Sequence, residues 1–134
     1  MPQTVTMPPL MSSLELNTTS FKQRKRLDSR IHEVNRVKSR YPCKIPVIVE
    51  RSHREKRLPP LQKIKFLVPP EITMGQFVSM IRCRLTLPPS HSLCILVNEF
   101  QMPSLSMTML EVYAEHQDQD GFLYVTYKSH EVFG

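Results

Sequence analysis

The sequence predicts an α+β domain, a four-stranded mixed sheet around one main helix, with two helices ahead of it. Three observations predict it. Beyond residue 43 the patterned segments run strand, strand, helix, strand, short helix, strand. The main helical segment carries its own start and stop signals, Thr73 with Gln76 before it and Pro88 with Pro89 after it. Ahead of the strands, Leu27, Ile31, Val34 and Val37 recur at steps of four and three, the spacing of one helix face.

Residues 1–20 are rich in Pro, Ser, Thr and Met, lack periodicity and read as a flexible tail. Phe21 to Arg26 is a short basic segment of one or two helical turns. The amphipathic helix from Leu27 ends at Tyr41-Pro42, because a residue before proline avoids helical angles. Lys44 to Glu50 reads as a strand with Ile45, Val47 and Val49 on one face and Pro46 and Ile48 on the other. Pro46 conflicts with a central place in a sheet, since proline has no N–H for the ladder. Arg51 to Arg57 is a polar turn, and Lys63 to Val68 is a second strand ended by Pro69-Pro70. Thr73 and Gln76 form a capping box, in which each side chain satisfies an amide of the helix start. Met74, Phe77, Val78, Ile81 and Leu85 make the apolar stripe that follows. Leu93 to Val97 is a third strand, and Thr108 to Glu115 a short helix with Thr108 and Glu111 as a second capping box. Asp118 to Gly121 is a turn into the last strand, Phe122 to Tyr127. The organisation is therefore a tail (1–20), a helical extension (21–42), a sheet domain (43–130) and a C-terminal segment (131–134).

Composition excludes several classes. The chain has 134 residues, 40% hydrophobic and 22% charged, which suits one small globular domain. No apolar run approaches the ~18 residues of a membrane span. The first twenty residues hold no Lys or Arg, unlike a signal or transit peptide, so a cytoplasmic location is expected. Cys43, Cys83 and Cys94 have no C-x-x-C spacing and read as reduced, mostly buried thiols. Five scattered histidines offer no metal site, and no cofactor is expected. The three glycines, Gly75, Gly121 and Gly134, cannot build a phosphate-cradling loop. Cys43 has no histidine placed to activate it, and Asp118 and Asp120 lack the other ligands of a calcium loop. No catalytic residue is expected, and the chain does not read as an enzyme. Fifteen of the 18 Lys and Arg lie between residues 22 and 65, against only Asp28, Glu33, Glu50 and Glu55. That half of the molecule should attract acidic partners.

A sheet wrapped round one helix in this order is the β-grasp arrangement of ubiquitin. The residues carry a closer likeness. Phe21-Lys-Gln-Arg24, Tyr41 to Arg51, Lys65 to Pro69, Ile81 to Leu85, Leu96 to Asn98, Glu111 to Tyr113, Asp120 to Tyr124 and the final Phe133-Gly134 together resemble the autophagy ubiquitin-like modifiers, most closely the light-chain-3 branch. The likeness runs from about Phe21 to the end.

The resemblance implies a modifier conjugated through Gly134 to the amine of phosphatidylethanolamine on autophagosomal membranes. The carboxylate would be activated as an adenylate and passed through thioesters on activating and conjugating enzymes, which own the catalytic cysteines. It implies Phe133 and Arg82 as grips for the activating enzyme and for a processing cysteine protease, although Cys83 interrupts what is an arginine run in relatives. It also implies binding of aromatic-x-x-aliphatic peptides of cargo receptors. Glu33, Val37, Pro46, Ile48, Lys65, Leu67 and Phe122 would form the aromatic pocket. Phe66, Val68, Pro69, Phe77, Met80 and Arg84 would form the aliphatic pocket, and Arg24, Lys25, Lys63 and Lys65 would meet acidic flanking residues. Leu67→Ala or Phe66→Ala is expected to weaken such a peptide by more than about tenfold with the fold unchanged. The unconjugated protein is expected to be a monomer.

Without the resemblance, Val37, Ile48, Leu67 and Phe122 read as ordinary core, and Lys63 and Lys65 as guards of an exposed edge. The rival function is a basic nucleic-acid or cytoskeleton-binding module with an incidental terminal glycine. The basic helix has no aromatic stacking platform, so no nucleic acid is expected. A membrane surface or a microtubule asks only for charge.

Overall fold

Four strands form one mixed sheet in the order β2-β1-β4-β3, in which β1 is Ile45–Arg51, β2 Lys65–Val68, β3 Cys94–Val97 and β4 Leu123–Lys128. The computed structural model describes residues 19–130; the expected tail up to residue 18 and the segment 131–134, with Phe133 and Gly134, lie outside the described residues. Strand β1 pairs antiparallel with β2, from Ile45 opposite Val68 to Ile48 opposite Lys65. It runs parallel to β4, from Val47 opposite Leu123 to Arg51 opposite Tyr127. Strand β3 pairs antiparallel with β4.

Strand β1 is thus central despite Pro46, and the register explains how. The Val49 N–H donates to the Ile64 carbonyl at 2.8 Å, on the β2 side. Alternate residues turn their N–H the other way, so the Pro46 nitrogen faces β4. The β4 ladder begins only at Val47, so no bond is missing there.

The helices are α1 (Phe21–Arg24), α2 (Leu27–Arg40), α3 (Met74–Leu85) and α4 (Met109–His116). Both expected capping boxes form. Gln76 N–H donates to Thr73 Oγ1 at 3.1 Å and Thr73 N–H to Gln76 Oε1 at 2.8 Å. Glu111 and Thr108 repeat the pattern at 3.1 and 2.9 Å. A third box, Ser20 with Gln23, starts α1. Helix α3 stops at Leu85, where Thr86 turns left-handed (φ 51°) and its N–H caps the carbonyls of Arg82 and Cys83. The chain therefore leaves the helix ahead of the prolines, and Leu87 is free to take the extended angles that Pro88 demands.

The sheet separates two cores. On one face Val47, Val49, Phe66, Val68, Leu123, Val125 and Tyr127 pack against Phe77 and Ile81 of α3 and Val112 of α4. On the other, Ile48 and Phe122 meet Phe21 of α1 and Val34 of α2. This is the ubiquitin-like β-grasp, with two helices added across the outer sheet face.

Three expectations are corrected. Within the α2 stripe only Val34 is buried; Leu27 and Ile31 are each 37% exposed, and Arg30 is buried in their place. The reason is a specific partner: Arg30 Nη1 bonds the fully enclosed Asp120 carboxylate at 2.6 Å. The cysteines are free, but only Cys94 is buried; Cys43 precedes β1 and Cys83 lies off the buried face of α3, both exposed. Strand β2 begins at Lys65, two residues later than its β pattern suggests, and residues 52–64 form one irregular loop.

Candidate functional site

Strand β2 is a sheet edge, and among the described residues no strand pairs with its outer side. Its alternation is strict: Phe66 and Val68 are buried, Lys65 and Leu67 exposed, with Leu67 at 39%. Helix α2 flanks the edge and places Glu33 opposite Lys65. Lys65 Nζ lies 2.6 Å from Glu33 Oε2 and Lys25 Nζ 3.3 Å from Glu33 Oε1. Both ammonium groups stand over the Phe21 ring, at 5.2 and 5.8 Å from its centre. Burial alone would raise the Glu33 carboxyl, but the bonds from Lys65 and Lys25 outweigh it and hold the pKa below the ordinary range. Beside this cluster lies a hollow of about 740 Å³ lined by His32, Glu33, Val37, Tyr41 and Lys65.

The residues expected at the aromatic pocket gather in two layers. Glu33, Val37, Lys65 and Leu67 face outward or are half-exposed. Pro46, Ile48 and Phe122 lie beneath, and Ile48 and Phe122 are closed over by Phe21 and Val34. The Phe21 and Phe122 rings meet edge to face at 5.5 Å. Of the aliphatic set, Phe66, Val68 and Phe77 are core residues and Met80 packs half-buried against them. Pro69 is half-buried. Arg84 spans the surface above, its guanidinium carbon 5.5 Å from the Phe66 ring centre. Because Phe66 is 7% exposed, Phe66→Ala would damage the core by roughly 3–5 kcal/mol. Only Leu67→Ala probes the surface alone.

Of the expected acidic-flank contacts, Lys25 and Lys65 belong to the Glu33 cluster, while Arg24 and Lys63 are exposed. Arg82 is apart from all of these: its Nη1 donates to the His91 carbonyl at 2.8 Å and bridges the end of α3 to the loop before β3.

Sequence reasoning missed the clamp that fixes α2 beside β2. Arg30 Nε also donates to the Lys25 carbonyl at 3.1 Å, Tyr124 Oη donates to Asp120 Oδ2, and Lys22 pairs with Asp118. The Asp-x-Asp-Gly turn was visible as a turn. Nothing local distinguished Arg30 from the basic residues around it.

Residues 29–134 match the family model described as Autophagy protein Atg8 ubiquitin like. The chain belongs to the Atg8 family. It is 52% identical over 114 residues to human microtubule-associated protein 1 light chain 3 gamma, covering 85% of this chain and 78% of that protein. To protein lgg-2 of Caenorhabditis elegans it is 43% identical over 115 residues, covering 86% and 88%. The crystal structure of Trypanosoma brucei ATG8 superposes with a TM-score of 0.79 at 33% identity, over 87% of this chain and 98% of that one. Membership in the Atg8 family makes the chain a ubiquitin-like protein of autophagy, one of a class of modifiers and not of enzymes. Among the described residues no helix is long and apolar enough to cross a membrane.

Proposed function

We propose that this Atg8-family chain is conjugated through Gly134 to phosphatidylethanolamine on autophagosomal membranes, and there recruits cargo receptors through aromatic-x-x-aliphatic peptides. Unconjugated protein would stay in the cytoplasm. The observation that carries the peptide reading is the open outer edge of β2 lying beside α2. An extended peptide added to that edge gains backbone hydrogen bonds, and alternate side chains face the protein.

The aromatic side chain would enter between α2 and β2, against Val37 and Leu67 with Glu33, Pro46 and Lys65 at its margin. Ile48 and Phe122 form the floor under Phe21. The aliphatic side chain would rest on Val68, Pro69 and Met80, above Phe66 and Phe77, once Arg84 swings aside. An acidic flank would meet Arg24 and Lys63 directly. At Lys25 and Lys65 it would replace bonds already made to Glu33, so those contacts exchange one carboxylate for another and add specificity more than affinity.

In conjugation the protein supplies only the acyl group. Adenylation of the Gly134 carboxylate, transfer to thiols of the activating and conjugating enzymes, and attack by the lipid amine form the amide and free the thiol. Phe133 and Arg82 are proposed as the grips for these enzymes and for the processing protease.

Titration calorimetry with an acidic aromatic-x-x-aliphatic peptide tests the groove: Leu67→Ala should weaken it by more than about tenfold, roughly 1.4 kcal/mol. Deleting Gly134 should abolish the lipid adduct seen by mass spectrometry and leave peptide affinity unchanged. Unaltered affinity in Leu67→Ala removes the groove, and a lipid adduct on the shortened chain removes the conjugation site. Added salt should cost the peptide far less than the several decades lost by a purely electrostatic binder.

A further inference from the structure

Glu55 is a buried carboxylate that neither the groove nor the conjugation chemistry uses. It is 2% exposed. Its Oε2 accepts from the N–H groups of Arg57 (2.8 Å) and Leu58 (2.6 Å). Its Oε1 accepts from the Ser129 N–H (2.7 Å) and the Ser129 hydroxyl (3.1 Å). The same loop is stitched to the last strand twice more: Ser52 N–H donates to the Tyr127 carbonyl at 3.0 Å, and Tyr127 Oη to the Pro59 carbonyl at 2.6 Å. Loop 52–64 is therefore fixed across the C-terminal end of β4.

This anchoring changes the loop's surface charge. Glu55 is the only acid in the loop, and it is turned inward and enclosed. His53, Arg54, Lys56, Arg57 and Lys63 are left exposed beside the uncharged Pro59, Pro60 and Gln62, so every charged side chain on the outer surface of the loop is basic. Covalent reach then decides what that surface meets. Ser129 and Gly134 are five residues apart, a span of at most ~17 Å when fully extended. If Gly134 is joined to a lipid headgroup, the body around Ser129 cannot stand further from the bilayer than that.

We infer that loop 52–64 is the surface on which the attached protein rests against an anionic bilayer, with Glu55 holding Arg54, Lys56 and Arg57 beside the root of the tail. The inference rests on the lipid-attachment reading above. Basic side chains at an anionic membrane each contribute roughly fivefold in affinity, and the α2 face, though basic, sits elsewhere. Arg40 and Lys44 precede the start of β1, which lies beside the start of β4 and at the opposite end of the sheet from Ser129.

The test is cosedimentation of the full, unconjugated chain with vesicles of phosphatidylcholine containing one-quarter phosphatidylserine, and with vesicles of phosphatidylcholine alone. The triple variant Arg54→Gln, Lys56→Gln, Arg57→Gln should lose about a hundredfold in affinity for the anionic vesicles. The triple variant Arg36→Gln, Arg40→Gln, Lys44→Gln, which removes the same charge, should lose less than about tenfold. Both should melt with the unaltered chain. Equal losses would mean that net charge alone is sensed and would overturn the proposal. So would indifference of the unaltered chain to phosphatidylserine, or pelleting with microtubules but not with vesicles. The two readings fail separately: a missing lipid adduct on the unaltered chain removes the attachment, whereas equal vesicle affinity of the two triples removes this surface.

Discussion

A carboxylate withdrawn from water is stable only where donors replace the water, and Glu55 has four. Burial alone would raise its pKa; the N–H groups of Ser129, Leu58 and Arg57 and the Ser129 hydroxyl outweigh that and lower it below the ordinary value. A depressed folded-state pKa stabilises the fold in full above the unfolded value of about 4.3, and the contribution is lost as pH falls through the lower folded value. Glu55→Gln keeps the shape but turns an amide N–H toward one pair of donors. It should cost roughly 2–3 kcal/mol at neutral pH. Urea unfolding at a series of pH values should show the gap to the unaltered chain narrowing below about pH 4, and a gap independent of pH would mean that the charge contributes nothing.

Besides the Glu33–Lys65 pair at the sheet edge, helix α2 is held by the Arg30–Asp120 ion pair and by the aromatic cluster around Phe21 and Phe122, and these last two meet the turn before β4. Arg30 reaches Asp120, Val34 covers Phe122, and Gly121 lies between them. Gly121 has φ +96°, an angle that L side chains rarely adopt, and a Cβ built there would stand 2.7 Å from Val34 Cγ1. Gly121→Ala thus combines backbone strain with a clash against the helix, and should cost roughly 2–4 kcal/mol. The damage belongs to this element: hydrogen exchange should quicken first in α2, while α3 and its core keep their protection. Uniform loosening of both would contradict the separation of the two cores.

For the molecule as a whole, those two cores imply that the sheet cannot face water on its outer side. Ile48 is fully buried and Phe122 3% exposed, both under α1 and α2. A chain beginning at residue 43 should keep its far-ultraviolet circular dichroism from the sheet and α3, yet bind a hydrophobic dye and self-associate; a monomer without dye binding would show the outer face to be self-sufficient. The order of elements, the β-grasp and the shared face of Lys65 and Leu67 were legible without coordinates, because caps at Thr73 and Thr108 and the alternation of β1 and β2 depend on residues within a few positions of one another. The same holds for the run of basic residues, but not for the openness of that face at Leu67, which by its residue type alone reads as core. Which face of α2 is buried was not legible: periodicity favoured Leu27 and Ile31, but Arg30 finds Asp120 ninety positions away. Nor was the inward turn of Glu55 toward Ser129, a pairing 74 positions apart. Local pattern reports what each segment can do by itself, whereas the burial of a charge is decided only when the fold delivers its partner.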